Sequence, residues 1–241
     1  MRRLVHSLRK RLLRLSPEPR RVDRLGATWE LHPRDWLDAR LLIRQPFEAE
    51  QRARFAAMLA ARRPTRLFDI GANFGLYAIT SALADPALQV DAFEPVSRTR
   101  AKLLRNLALN GLQDRVRIHP IALSDAEGEA RIAIDPRSSG LSTLSASAAE
   151  AARRDFSEAQ TVRTAPLDAL FQLRGETLAL KIDVEGHEPA TLAGASALLA
   201  ENAGVAMVEI RDRNIAQVQA AFAAAEWRET GRIADELFFE K

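Results

Sequence analysis

Asp183, Glu185, His187 and Glu188 place three carboxylates and an imidazole within six residues, directly after an apolar run. Such groups take protons from attacking hydroxyls, a contribution of roughly 10²–10⁴-fold to a rate. Two arrangements fit the spacing. In one, His187 or Asp183 is the general base and Glu185 orients it. In the other, Asp183, Glu185 and His187 ligate a divalent ion that acidifies the hydroxyl. The spacing matches no established metal motif, so metal is the less favoured reading and no metal ligand is assigned. Glu185 and Glu188 also suit the first turn of a following helix, whose positive end carboxylates stabilise. Lys181 reads as pointing inward and pairing with Glu209 on the adjacent strand.

A second cluster is Asp69-Ile-Gly71-Ala72-Asn73-Phe-Gly75, followed by Phe93-Glu94-Pro95. Gly71 permits a sharp turn with no side chain between backbone and ligand, and Gly75 permits close packing of the helix that follows. No Lys-Ser/Thr pair follows the glycines, which excludes a P-loop, and a dinucleotide fingerprint would hold a third glycine. An acidic residue at the strand end suits an ammonium group, directly or through water, better than a phosphate. Glu94, at the end of the next strand, is placed to accept both hydroxyls of a ribose. The ligand implied is a nucleoside joined to an amino acid, held by Asp69, Gly71, Ala72, Asn73, Gly75 and Glu94.

These residues need elements to carry them. Arg66–Ile70, Gln89–Phe93, Arg115–His119, Leu178–Val184 and Val205–Ile210 have strand length and composition, and Glu129–Ile134 reads as part of a strand or hairpin. Helical patterns fall near Leu76–Ala84, over Val96–Asn110 with Leu103, Leu104 and Leu107 inward, near Pro189–Glu201 and over Ile215–Ala225. Trp227–Arg232 with Glu236–Glu240 reads as a terminal antiparallel hairpin. Strands alternating with helices predict a doubly wound, mostly parallel α/β sheet, whose ligands sit beyond the carboxyl ends of the strands. Both clusters fall there. His32 and His119 read as structural, and Arg98 and Arg100 as a solvated helix face.

With Tyr77, the Asn106…Asn110-Gly111-Leu112 run, Ile121-Ala122-Leu123-Ser124 with Gly128, and Leu167-Asp168, these clusters resemble the FkbM family of methyltransferases over roughly residues 65–240. The block from Lys181 to Glu188 is the most distinctive part. The resemblance implies a seven-stranded, Rossmann-like class I methyltransferase fold with S-adenosylmethionine as cofactor. It further implies O-methylation, often of sugars or natural-product hydroxyls, with Ala122 and Leu123 framing the adenine. A nicotinamide-dependent oxidoreductase is disfavoured by the missing glycine, and a non-catalytic binding module is the rival from another class.

The chain has 241 residues, no cysteine and a net charge of +3. The absence of cysteine excludes disulfides, thiol nucleophiles and thiolate metal sites. Residues 1–24 carry nine Lys/Arg against Glu18 and Asp23, so this segment is +7 and the remainder −4. Basicity confined to an arm argues against nucleic-acid binding by the folded domain. The arm has no apolar run long enough for a signal peptide or a membrane span, which points to the cytoplasm. Leu4, Leu8, Leu12 and Leu15 share one helical face, so residues 2–15 form an amphipathic segment suited to peripheral membrane or partner contact. The expected division is a basic arm and linker over 1–24, a helical and irregular cap over 25–64, and the catalytic domain over 65–241. A Ser/Ala-rich stretch, 138–149, reads as a loop or lid.

Overall fold

The computed structural model describes residues 18–135 and 157–241, together with Leu13, Ser142 and Leu144. The amphipathic arm, apart from Leu13, and most of the Ser/Ala-rich stretch lie outside the described residues.

The chain opens with a hairpin, β1 (Arg20–Arg24) and β2 (Ala27–Leu31), then helices α1 (Trp36–Leu42) and α2 (Ala49–Arg62). β3 (Arg66–Ile70), α3 (Leu76–Ala84), β4 (Gln89–Phe93), α4 (Ser97–Leu109) and β5 (Val116–His119) follow as one alternating half. A small mixed sheet comes next, β6 (Ile121–Leu123), β7 (Gly128–Ile134) and β8 (Glu158–Ala165), with the short α5 (Leu167–Leu170). The second half is β9 (Thr177–Ile182), α6 (Glu188–Ala193), α7 (Ser196–Glu201), β10 (Ala203–Glu209), α8 (Ile215–Ala224), β11 (Arg228–Ile233) and β12 (Glu236–Glu240).

Seven strands form the main sheet in the order β11-β12-β10-β9-β3-β4-β5. β5, β4, β3, β9 and β10 are parallel, while β12 runs antiparallel to both β10 and β11. The strand order reverses between β3 and β9, the position where such sheets open a ligand crevice. Both faces are covered, which is why the central strands read as near-continuous apolar runs. Leu67, Val90, Ala179 and Met207 face α2, α3 and α4, and Phe68, Ile70, Leu180 and Val208 face α6, α7 and α8.

Several local readings change in three dimensions. Arg20–Arg24, read as the end of a linker, is a strand paired with β2, and the boundary drawn after residue 24 falls in its turn. Leu104 is 51% exposed although Leu103 and Leu107 are buried, because the cap covers the other flank of α4. There Asn106 Oδ1 accepts the Glu30 N–H, and Asn110 bonds both backbone groups of Thr28. The helix expected near Pro189–Glu201 divides at Gly194-Ala195, where the backbone packs on the Ser124 carbonyl so closely that a Cβ on Gly194 would lie 2.0 Å from its oxygen. β6 and β8 have no clear apolar period and were not anticipated. Among the described residues no helix is long and apolar enough to cross a membrane.

The cap is bolted to the sheet domain by a buried ion pair. Lys102 Nζ of α4 donates to Asp38 of α1, and neither side chain is more than 7% exposed. Asp38 also accepts the His32 N–H at 2.7 Å. Burial pushes its carboxyl up to about 6, against the opposing charge of Lys102. Removing one partner leaves the other charge buried and uncompensated. Asp38→Ala is therefore expected to cost about 3–5 kcal/mol in chemical denaturation; a loss under about 1 kcal/mol would show that water reaches Lys102.

Candidate active site

A cavity opens beyond the carboxyl ends of β3, β4 and β9. Eight residues singled out from the sequence meet on its wall: Gly71, Asn73, Glu94, Ala122, Leu123, Asp183, Glu185 and His187. Asp69, Ala72 and Gly75 are not on it. Asp69 is fully buried behind the turn, where Oδ2 accepts the Ala78 N–H at 2.8 Å in the first turn of α3 and Oδ1 has no partner among the described residues. Ala72 donates its N–H to the Phe93 carbonyl. Gly75 (φ +97°) serves helix packing, as a Cβ there would lie 2.5 Å from Leu103 Cδ1. Gly71 has a packing role as well as its place on the wall. At φ +79°, a Cβ would lie 1.8 Å from the Asp183 carbonyl oxygen, so the turn and the end of β9 can approach only through glycine.

Glu94 is fixed by two backbone donors, Asn73 N–H and Val96 N–H, each at 2.9 Å. Burial raises its carboxyl to about 7 in spite of them. Arg100, expected on a solvated face, braces this turn by donating to the carbonyls of Glu94 and Pro95. Arg98 does lie at the surface, paired with Glu158. His119 is structural as read: it bonds Asp91 at 2.7 Å and stacks on Phe93.

Asp183 sits just past β9, its N–H bonded to the Ile70 carbonyl. Its carboxylate accepts from Lys181 Nζ at 3.1 Å, and the same Nζ donates to the Gly71 carbonyl at 3.2 Å. Lys181 therefore pairs with Asp183 and not with Glu209 as expected. Against the lowering effect of burial, the charges of Asp183, Asp69, Glu48 and Glu209 hold its pKa above the ordinary lysine value. Glu185 occupies a left-handed position (φ +53°) and pairs with Arg211. Glu188 starts α6, accepting from Gly186 N–H and Asn214 Nδ2, which is the helix-terminal role. His187 reaches the far end of the cavity, where its Nε2 lies 3.0 Å from Ser124 Oγ after β6. Burial lowers its pKa, against the charge of Asp125.

A wider cleft of about 700 Å³ meets the cavity at Asn73, Asp183 and Glu185. Its remaining wall comes from the cap (Trp36, Arg40, Phe47, Glu48) and from the sheet edge (Glu209, Arg211, Glu236). Carboxylate oxygens of Asp183, Glu185 and Glu209 lie within 4.8 Å of one another, as do those of Glu48, Glu209 and Glu236. His187 is in neither trio, so the Asp183, Glu185 and His187 ligand set considered from the sequence is not the grouping that the fold assembles. Such crowding favours shared protons. The charge of Asp183, then burial, then Glu185 pushes Glu209 far above the usual carboxylate range. Glu48 rises to about 7 by burial, although Tyr77 donates its hydroxyl to it at 2.7 Å. Sequence reading missed Glu48, Arg40 and Glu236. Glu209 and Glu236 flank adjacent strands, a retrievable signal, but residues 40 and 48 carried none.

A reversed parallel sheet with an antiparallel strand beside its edge, and a cavity across the switch point, defines the class I methyltransferase fold. The chain belongs to the FkbM methyltransferase domain family, whose model matches residues 69–237. A crystal structure of an FkbM methyltransferase from Methylobacillus flagellatus superimposes with a TM-score of 0.53 at 14% identity, covering 74% of this chain and 44% of that one. The AMB antimetabolite synthetase AmbE of Pseudomonas aeruginosa is 36% identical over 89 residues, which is 37% of this chain and 4% of that protein. The chain thus spans less than half of each of these two relatives. The cap, residues 20–62, precedes the matched segment.

Proposed function

We propose that this methyltransferase moves the methyl group of S-adenosylmethionine to a hydroxyl of a sugar, glycan or small natural product. The observation that carries this reading is that a cavity across the switch point, walled by Glu94, Ala122 and Leu123, and a polar cleft share the carboxylates of Asp183 and Glu185. The residues present fit the cofactor. Glu94 offers an anchored carboxylate to ribose hydroxyls, and Ala122, Leu123 and Ile132 form an apolar wall for a base. Asn73 Oδ1, buried without a partner among the described residues, offers an acceptor to an ammonium group. The cofactor supplies a methyl carbon bound to a positively charged sulfur.

The chain supplies alignment and a base. With the cofactor held by Glu94, Asn73 and the wall of Ala122, Leu123 and Ile132, the Asp183 carboxylate would take the proton of an acceptor hydroxyl in the cleft as that oxygen gains the methyl group, leaving S-adenosylhomocysteine. Lys181 orients that carboxylate, Glu185 is steadied by Arg211, and much of the rate comes from this alignment. His187 faces the Ser124 end of the cavity. The protein is proposed to act in the cytoplasm, with residues 2–15 available for peripheral membrane or partner contact.

Titration calorimetry tests the cofactor, and transfer of tritiated methyl to glycan, lipid and metabolite extracts tests the reaction. Binding of S-adenosylhomocysteine with label entering a hydroxyl-bearing product is expected. No heat from either S-adenosylmethionine or S-adenosylhomocysteine on folded protein would sink the reading. Binding with no transfer to any extract would favour a non-catalytic module.

A further inference from the structure

Tyr77 stands two residues after Gly75 of the glycine turn, yet it lines neither the cavity nor the cleft. It is 5% exposed, in the first turn of α3. Two contacts fix its ring from the cap. The hydroxyl donates to Glu48 Oε2 at 2.7 Å, and Phe55 meets the ring in an edge arrangement, with centroids 6.0 Å apart and planes at 75°. The ring also receives Lys181, whose Nζ lies over it, 5.4 Å from the centroid. An ammonium at that distance is attracted by an aromatic face.

Lys181 needs such a contact. An ammonium carries three N–H donors and is a point charge on a flexible stem, with no preferred direction of its own. Asp183 accepts from it at 3.1 Å and the Gly71 carbonyl at 3.2 Å. Asp69, Glu48 and Glu209 act on the same ammonium from three other parts of the chain. The Tyr77 hydroxyl engages Glu48, and the Tyr77 ring attracts the ammonium itself. Both contacts favour the placement in which Lys181 bonds Asp183. With the Lys181 side chain only 7% exposed, little water is at hand to replace a lost ring face.

We propose that Tyr77 is a positioning residue for methyl transfer: its ring holds the Lys181 ammonium against Asp183 and Gly71, and its hydroxyl ties the cap to that point through Glu48. This rests on the methyl-transfer reading with Asp183 as the base. It makes the orientation of the base depend on how the start of α2 is seated.

The test compares Tyr77→Phe and Tyr77→Leu in the full chain, each alone and combined with Asp183→Asn. Transfer of tritiated methyl to one fixed metabolite extract is followed while S-adenosylmethionine is varied, which separates apparent kcat from KM. Calorimetry of S-adenosylhomocysteine reports the cofactor site, and circular dichroism reports folding. Tyr77→Leu should lower apparent kcat roughly tenfold, the scale of a desolvated ammonium–ring contact. KM for S-adenosylmethionine and affinity for S-adenosylhomocysteine should stay within about threefold of native. Tyr77→Phe keeps the ring and should recover most of the rate. In the Asp183→Asn background Tyr77→Leu should cost less than about twofold, because a residue that acts through Asp183 has nothing left to position. A readout independent of turnover is the NMR signal of the Lys181 Hε protons, which the Tyr77 ring current shifts. That signal should move in Tyr77→Leu and hold in Tyr77→Phe. The same loss in both backgrounds, equal losses in the two variants, native turnover in Tyr77→Leu, or an unmoved Lys181 signal would each overturn the proposal. Tyr77→Met serves if Tyr77→Leu misfolds. A native chain that neither binds S-adenosylhomocysteine nor transfers methyl would instead overturn the methyl-transfer reading, with the NMR signal still deciding the Lys181 contact.

Discussion

Asp183→Asn is expected to lower methyl transfer by roughly 10²–10⁴-fold, with S-adenosylhomocysteine affinity within about threefold of native. The amide keeps the shape of the carboxylate and can still accept from Lys181, but it cannot take a proton from a hydroxyl. Lys181 retains the Gly71 carbonyl and the fields of Asp69, Glu48 and Glu209, so the fold should survive, as a thermal melt will check. A second readout checks that the substitution removes the Asp183 charge from the cleft. Because Asp183 is the largest cause of the raised Glu209 pKa, its neutralisation should bring Glu209 back toward the ordinary carboxylate range, visible by NMR titration. Native turnover in Asp183→Asn at saturating cofactor would remove Asp183 from the chemistry.

Glu94→Ala should weaken S-adenosylhomocysteine binding by about 100-fold or more. Two hydrogen bonds from ribose to a charged acceptor contribute about 1.5–3 kcal/mol each, and every 1.4 kcal/mol is about tenfold. The stability cost is smaller, because the Asn73 and Val96 N–H groups lose an acceptor but a buried carboxyl is also removed. Equal affinity in the variant would refute the ribose assignment. The same residue sets a pH dependence. In the free protein burial holds Glu94 at about 7, above its unfolded value, so its contribution to folding is fully present below about pH 4.5 and is lost as pH rises through 7. Ribose hydroxyls favour the ionised form, so cofactor affinity should move the other way, rising between pH 6 and 8. Glu94→Gln should flatten that rise; an unchanged slope in the glutamine variant would assign it elsewhere.

Local chemistry was legible before any fold was known. The glycine turn, the acid ending the next strand and the carboxylates after β9 are consequences of residue type and short spacing, and the alternation of strands and helices placed all three at one edge of a parallel sheet. The terminal hairpin, read over Trp227–Arg232 and Glu236–Glu240, is β11 and β12. What the chain could not reveal in one dimension is which distant surfaces meet. Asp69 has the right type for an ammonium ligand, yet its position one residue inside the strand turns it toward α3. Lys181 reads in sequence as the partner of Glu209, but the turn at Gly71 and the end of β9 bring it to Asp183. His187 looked equivalent to Asp183 in sequence, but the turn at Glu185-Gly186 carries it to Ser124 and away from the cleft. Arg40 and Glu48 stand more than a hundred residues before Asp183, with no periodicity to mark them. Only the packing of the cap on α4, through Asp38, Lys102, Asn106 and Asn110, brings them to the cleft that Asp183 also lines. Sequence alone therefore determined where the candidate cofactor site lies in the chain, because its parts are local to strand ends. Tertiary structure decided the wall where an acceptor would bind, because that wall is made by long-range burial.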